Sequence, residues 1–142
     1  MTNQNFQVSI TTSKNTSEVF AYLLNPKNWW VGIFGETIEG KSETINDEFS
    51  FKAGDSVHYS HQKLIELLPN QKIVWLVTES NLSYLKNPNE WAGTKFGFNI
   101  EKVENKTKIT FTHEGLLPQI ECYGGCSNAW TQYMENLREQ LN

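Results

Sequence analysis

The C-terminal segment constrains this fold more than any other stretch. Cys122, Cys126, Trp130, Tyr133, Leu137 and Leu141 recur at spacings of three and four, with Met134 beside them. Glu121, Asn128, Gln132, Glu135, Arg138 and Glu139 fall on other faces. That pattern is one long amphipathic helix. Gly124-Gly125 would delay its start, with Ser127 or Asn128 near the cap. Ahead of it the chain reads mainly as strands with short connections. An antiparallel sheet has one face to cover, and this helix is the only element long enough to cover it. The expected class is α+β: a curved antiparallel sheet of about six or seven strands wrapped around a long C-terminal helix. Curvature of that kind would leave a space between sheet and helix.

The strands are legible from alternation. Phe6, Val8 and Ile10 alternate with polar residues, a period-two strand with one buried face. Thr16 or Ser17 would cap a helix carrying Val19, Phe20 and Leu23, which Pro26 stops or resets. Lys27 to Trp30 would add a second short helical turn. Strands are expected near Glu36–Ile38, Glu48–Lys52 and Ser56–Leu68, with a hairpin at Pro69-Asn70 returning through Ile73-Val74-Trp75-Leu76-Val77. Residues 81–93 read as a loop. Phe96, Phe98 and Ile100 form the clearest hairpin with Ile109, Phe111 and His113, turning at Asn105-Lys106. No repeat, low-complexity tract or linker divides the chain, so residues 1–142 are expected to form one domain.

Composition narrows the function classes. Twelve basic against sixteen acidic residues give a net charge of −4. Eleven of the basic residues are Lys and only Arg138 is Arg. This is poor equipment for bidentate phosphate or guanine contacts, so no nucleic-acid partner is expected. No apolar run approaches the ~20 residues of a membrane span, and the polar N-terminus lacks a signal-peptide core. No membrane partner is expected, and the cytoplasm is the expected location. Mean hydropathy is low at −0.52, yet 13% of residues are aromatic. Rings can supply a core or line a pocket, because each buries roughly 150–250 Å².

Cys122 and Cys126 admit three readings. A disulfide is disfavoured in a reducing cytosol. A zinc site needs about four ligands, and no paired Cys or His motif accompanies the two. The expectation is therefore two buried thiols one helical turn apart. No metal or cofactor is expected.

The order of elements, with four stretches of local sequence, resembles the SRPBCC (START-like, helix-grip) superfamily. Within it the chain is similar to the activator of 90-kDa heat shock protein ATPase homologue 1-like family. The stretches are Ser17 to Leu23 with Asn25-Pro26 and Trp29-Trp30; Leu64 to Pro69 with Lys72 to Trp75; Ile109 to Leu116; and Glu121 to Tyr123 with Cys126 to Trp130 and Tyr133 to Leu137. At the start of the last helix many relatives carry Gly-Trp followed by Leu-Lys, and this chain does not. The eukaryotic co-chaperone is similar in one of its domains and has a further chaperone-binding domain, which this chain is expected to lack. The resemblance implies two short helices after strand one, and a cavity between sheet and long helix that binds apolar or amphipathic small molecules.

Alternation then nominates pocket candidates. From strands these are Trp75, Phe96, Phe98, Phe111 and His113, and from the helix Trp130, Tyr133, Met134 and Leu137. Tyr59 and His61 share a strand face of undetermined direction. Trp29, Trp30, Phe34 and Trp91 lie in loops that would rim an opening. For each ring the alternative is plain core packing. His58 and His61, three apart on a strand, point to opposite faces and cannot form a simple metal pair. Three functions follow from different classes. The first is small-molecule binding. The second is a protein-interaction or stress-related module with a chaperone partner. The third is a cyclase- or hydrolase-type enzyme using His113, Glu66 or Tyr59 as acid or base. No nucleophile elbow, phosphate loop or dinucleotide fingerprint is present.

Overall fold

A computed structural model describes residues 5–54, 58–83, 85–116 and 123–142. Seven strands form a single antiparallel sheet in the order β1-β7-β6-β5-β4-β3-β2. They are β1 (Phe6–Thr12), β2 (Thr37–Gly40), β3 (Glu48–Ala53), β4 (His58–Leu68), β5 (Lys72–Leu82), β6 (Lys95–Val103) and β7 (Lys106–Glu114). β2 to β7 run as a meander, and β1 adds to the far side of β7 with Phe6, Val8 and Ile10 opposite His113, Phe111 and Ile109. Between β1 and β2 lie α1 (Thr16–Leu24) and a 3-10 turn, Pro26–Asn28. The long helix α2 (Tyr123–Leu141) closes the chain. This is the expected helix-grip arrangement, with the two short helical pieces where they were expected.

Local differences have identifiable causes. The cap of α1 is Asn15, one residue before the expected Thr16 or Ser17: its Oδ1 accepts from the Glu18 N–H at 2.8 Å and from the Ser17 hydroxyl at 2.8 Å, so a better acceptor wins the position. Described from Tyr123 onward, α2 runs through Gly124-Gly125 rather than starting after them. Cys126 is disulfide-bonded rather than a free thiol. The contrary expectation rested on compartment alone. Cys122, the only other cysteine in the chain, lies outside the described residues.

The core lies between the sheet and α2, whose Cys126, Trp130, Tyr133, Met134, Leu137 and Leu141 are buried. All five tryptophans are at most 2% exposed. The helix is tied at its far end, where the Thr12 hydroxyl donates to the Leu141 carbonyl at 3.1 Å and the Tyr22 hydroxyl to Gln140 Oε1 at 2.6 Å. Two irregularities bend the central strand pair, between His61 and Gln62 and between Leu64 and Glu66. Such bulges increase local twist, which helps a flat ribbon curl around a helix.

One glycine fixes the spacing of β5 and β6. A Cβ on Gly97 would stand 2.0 Å from the Ile73 carbonyl oxygen and 2.9 Å from Val74 Cα. Both are backbone atoms in a paired strand, so neither yields without breaking the ladder. Gly97→Ala is expected to cost roughly 1–3 kcal/mol or more, read as a lowered urea midpoint. An unchanged midpoint would show that the two strands can separate freely.

Candidate functional site

A cavity of about 240 Å³ lies between the end of the sheet and the first half of α2. Trp30, Phe34, Trp91, Trp130 and Tyr133, five of the residues nominated from sequence, line it. The 3-10 turn positions Trp30: the N–H groups of Trp29 and Trp30 both donate to the Pro26 carbonyl, at 3.2 and 2.8 Å. That tucks both rings inward, so they are buried rather than rimming an opening as their loop position suggested. Trp30 stacks on Phe51 with centroids 3.7 Å apart and planes 11° apart, and lies 5.2 Å from Trp130. Trp130 in turn stacks on Trp91 at 5.8 Å. Stacked rings therefore form much of the wall.

The mouth is built differently. Phe34, 45% exposed, packs edge-on against Tyr133 at 6.2 Å. The Tyr133 hydroxyl donates to Glu36 Oε2. The Glu36 carboxylate also accepts the N–H groups of Gly32 at 2.8 Å, Ile33 at 3.2 Å and Phe34 at 2.9 Å. Burial pushes Glu36 up, but these hydrogen bonds outweigh it and hold the carboxyl below its ordinary value. Burial, then the bond to Glu36 and its charge, push the Tyr133 hydroxyl far above its ordinary value, so it stays a donor. One carboxylate thus holds the loop of residues 32–36 against α2.

His113 is buried but not on the cavity wall. Trp130 Nε1 donates to its Nδ1 at 3.0 Å. An indole N–H can only donate, so Nδ1 is the acceptor and the ring is neutral with its proton on Nε2. That Nε2–H donates to Thr94 Oγ1 at 2.9 Å, and the Thr94 hydroxyl donates to the Trp91 carbonyl at 2.6 Å. Burial, with His58 nearby, lowers the His113 pKa to about 3. Both nitrogens are engaged, which gives the ring a positioning role for Trp130 and Trp91.

Other nominated residues lie elsewhere. Trp29, Phe98, Phe111 and Met134 pack in the core away from the cavity wall, as does Trp75, whose Nε1 donates to Ser42 Oγ at 2.9 Å. Tyr59 and His61 alternate with the buried Ser60 and Gln62, so they face outward. His61 pairs with Glu48 at 2.8 Å. Glu66 is partly exposed and pairs with Lys72 at 3.4 Å.

Sequence reasoning missed Phe51, Ala53, His58, Cys126 and Ala129, which complete the wall with Gly54 and Gly125. His58 stands out among them. It packs edge-on against Trp91 at 4.7 Å and against Phe51 at 5.3 Å. Burial lowers its pKa to about 4, so it is neutral near pH 7. His58 Nε2 and Trp91 Nε1 are buried without a hydrogen-bond partner, as is Gln62 Oε1, whose residue is not on the wall. No Asp, Glu, Lys or Arg lines the cavity among the described residues. Among those residues no group of three or more His, Cys, Asp or Glu is placed to hold a metal ion. No helix among them is long and apolar enough to cross a membrane.

Comparison with known proteins agrees with this architecture. The family model described as "Activator of Hsp90 ATPase homolog 1-like protein" matches residues 15–142. No curated protein matches the sequence. The solution structure of the Aha1 dimer from Colwellia psychrerythraea is similar, with a TM-score of 0.73, 20% identity, and coverage of 96% of this chain and 95% of that one. A crystal structure from Chromobacterium violaceum gives 0.71 at 15% identity, covering 96% of each chain. A protein from Nitrosospira multiformis gives 0.75 at 11% identity, covering 97% of this chain and 96% of that one. At these identities the likeness establishes the shared fold.

Proposed function

The chain belongs to the activator of Hsp90 ATPase homolog 1-like family, and on that footing we propose that it binds a small apolar or amphipathic molecule in the cavity between sheet and α2. The observation that carries this reading is the cavity wall: stacked rings, no charged side chain among the described residues, and a mouth held by the Glu36–Tyr133 bond. Ligand pockets are typically concave, mostly apolar and furnished with few polar groups. Transfer of an apolar ligand into such a wall gains about 25 cal/mol per Å² removed from water.

The test uses the wall itself. Trp30, Trp91 and Trp130 line the cavity, so a bound ligand will change the intrinsic fluorescence saturably. Ala129 lines the same space from α2, and Leu there keeps helix propensity while filling the cavity. Ala129→Leu is expected to weaken binding of neutral compounds of about ten non-hydrogen atoms by at least about tenfold, roughly 1.4 kcal/mol. Absence of saturable binding to the native protein, or equal binding by the variant, would remove this reading.

A further inference from the structure

We infer that the cavity selects a flat, neutral aromatic molecule of about two fused rings carrying one hydroxyl group, and that His58 and Trp91 read the hydroxyl. The inference rests on the small-molecule reading above and specifies its ligand class. Size comes first. A cavity of roughly 150 Å³ accommodates a benzene ring, so about 240 Å³ corresponds to about ten non-hydrogen atoms on the same scale. Shape follows from the lining, where the rings of Trp30, Phe34, Phe51, Trp91, Trp130 and Tyr133 predominate. Aromatic side chains of this kind take a planar ring by offset-stacked or edge-to-face packing.

The polar group follows from the two orphaned atoms. Buried side-chain nitrogens without a partner are rare and costly, and each calls for an explanation. Here two occur on adjacent side chains of one cavity wall, His58 Nε2 and Trp91 Nε1, whose rings touch at 4.7 Å. An N–H against a ring face offsets only a small part of that cost. Trp91 Nε1 can only donate, whereas neutral His58 can accept at Nε2 when its proton sits on Nδ1. A hydroxyl satisfies both at once, its oxygen accepting from Trp91 and its hydrogen donated to His58. A carbonyl would satisfy both only as a double acceptor with the His58 proton on Nε2, whereas a hydroxyl satisfies both with either tautomer. A carboxylate would bury a charge where no cationic side chain lines the wall among the described residues. An ammonium would meet the Trp91 N–H with the wrong polarity. Both nitrogens are shielded from water, so the hydroxyl must enter by a small rotation of the His58 ring against Trp91.

The sign of one comparison decides the matter. Without a polar reader, burying a hydroxyl is a penalty, so naphthalene would bind more tightly than 2-naphthol. With both hydrogen bonds made, each contributing about three- to tenfold, 2-naphthol is expected to bind about ten- to a hundredfold more tightly. Calorimetric titration of the folded protein with each compound reads this ratio. Trp91→Phe keeps a ring but removes the N–H, and His58→Phe keeps a ring but removes the acceptor. Each is expected to pull the 2-naphthol to naphthalene ratio down by about three- to tenfold. A native ratio of one or below overturns the hydroxyl assignment while leaving the cavity reading intact. A ratio that both folded variants preserve also overturns it. Binding of neither compound overturns both readings together.

Discussion

Replacing Trp130 with Ala is expected to bring the protein close to unfolding at 25 °C. Trp130 is 1% exposed and its ring meets Phe111 at 4.4 Å, Trp30 and Phe96 at 5.2 Å and Trp91 at 5.8 Å. Truncating a buried Trp typically costs about 3–5 kcal/mol. The substitution also strips the Nδ1 of His113 of the Trp130 donor, leaving a buried acceptor at a further ~1–3 kcal/mol. The sum stands against a total stability of roughly 5–15 kcal/mol for a domain. Trp130→Phe is the milder change, since it keeps a six-membered ring but gives up the N–H and three ring atoms. It is expected to cost roughly 1–3 kcal/mol in urea unfolding. If Trp130→Phe matched the native protein within about 0.5 kcal/mol, the bond to His113 would not hold the histidine tautomer.

That pair of variants also marks how far the sequence could be read. The spacing of Trp130, Tyr133, Leu137 and Leu141 was enough to place one helix face against the sheet, and alternation was enough to bring Phe98 and Phe111 opposite one another across β6 and β7. Both inferences work because an apolar set has only one place to go. β4 lacks that information. His58, Ser60 and Gln62 face inward, and Tyr59, His61 and Lys63 face outward, so both faces are polar there and alternation has no phase. Hence His58 escaped notice while Tyr59 and His61 were nominated. The loop tryptophans were nominated as a rim, and Trp30 and Trp91 do line the cavity, but their burial was not legible. Trp29, Trp30 and Trp91 have no strand or helix period, and only the Pro26 turn and long-range packing bury them. Orphaned atoms such as Trp91 Nε1 exist only once three dimensions are assembled. The same three-dimensional step gave His113 its meaning, since a histidine at a strand end carries no tautomer in its sequence.

Acid is expected to destabilise the protein from about pH 6.5 downward, before most carboxylates protonate. His58 and His113 have pKa values of about 4 and about 3 in the folded state, lowered first by burial, against an unfolded value near 6.5. Between pH ~6.5 and pH ~4 the unfolded chain binds both protons and the folded one binds neither. Stability from these groups is therefore complete above pH ~6.5 and is lost as pH falls toward the folded values. Each group contributes a slope of about 1.4 kcal/mol per pH unit, so the pair gives about 2.7. Two units of acidification would remove on the order of 5 kcal/mol, which reaches the lower bound of ordinary domain stability. Glu36 and Asp47, both held below their usual values by hydrogen bonds, add their own loss only at lower pH. Urea unfolding at intervals from pH 7.5 to pH 4.5 reads the slope directly. His58→Phe removes one of the two protons and should leave about half the slope. Stability that stays flat between pH 7 and pH 5 would mean that the buried rings are not held neutral, and the donor–acceptor chain from Trp130 through His113 to Thr94 would have to be redrawn.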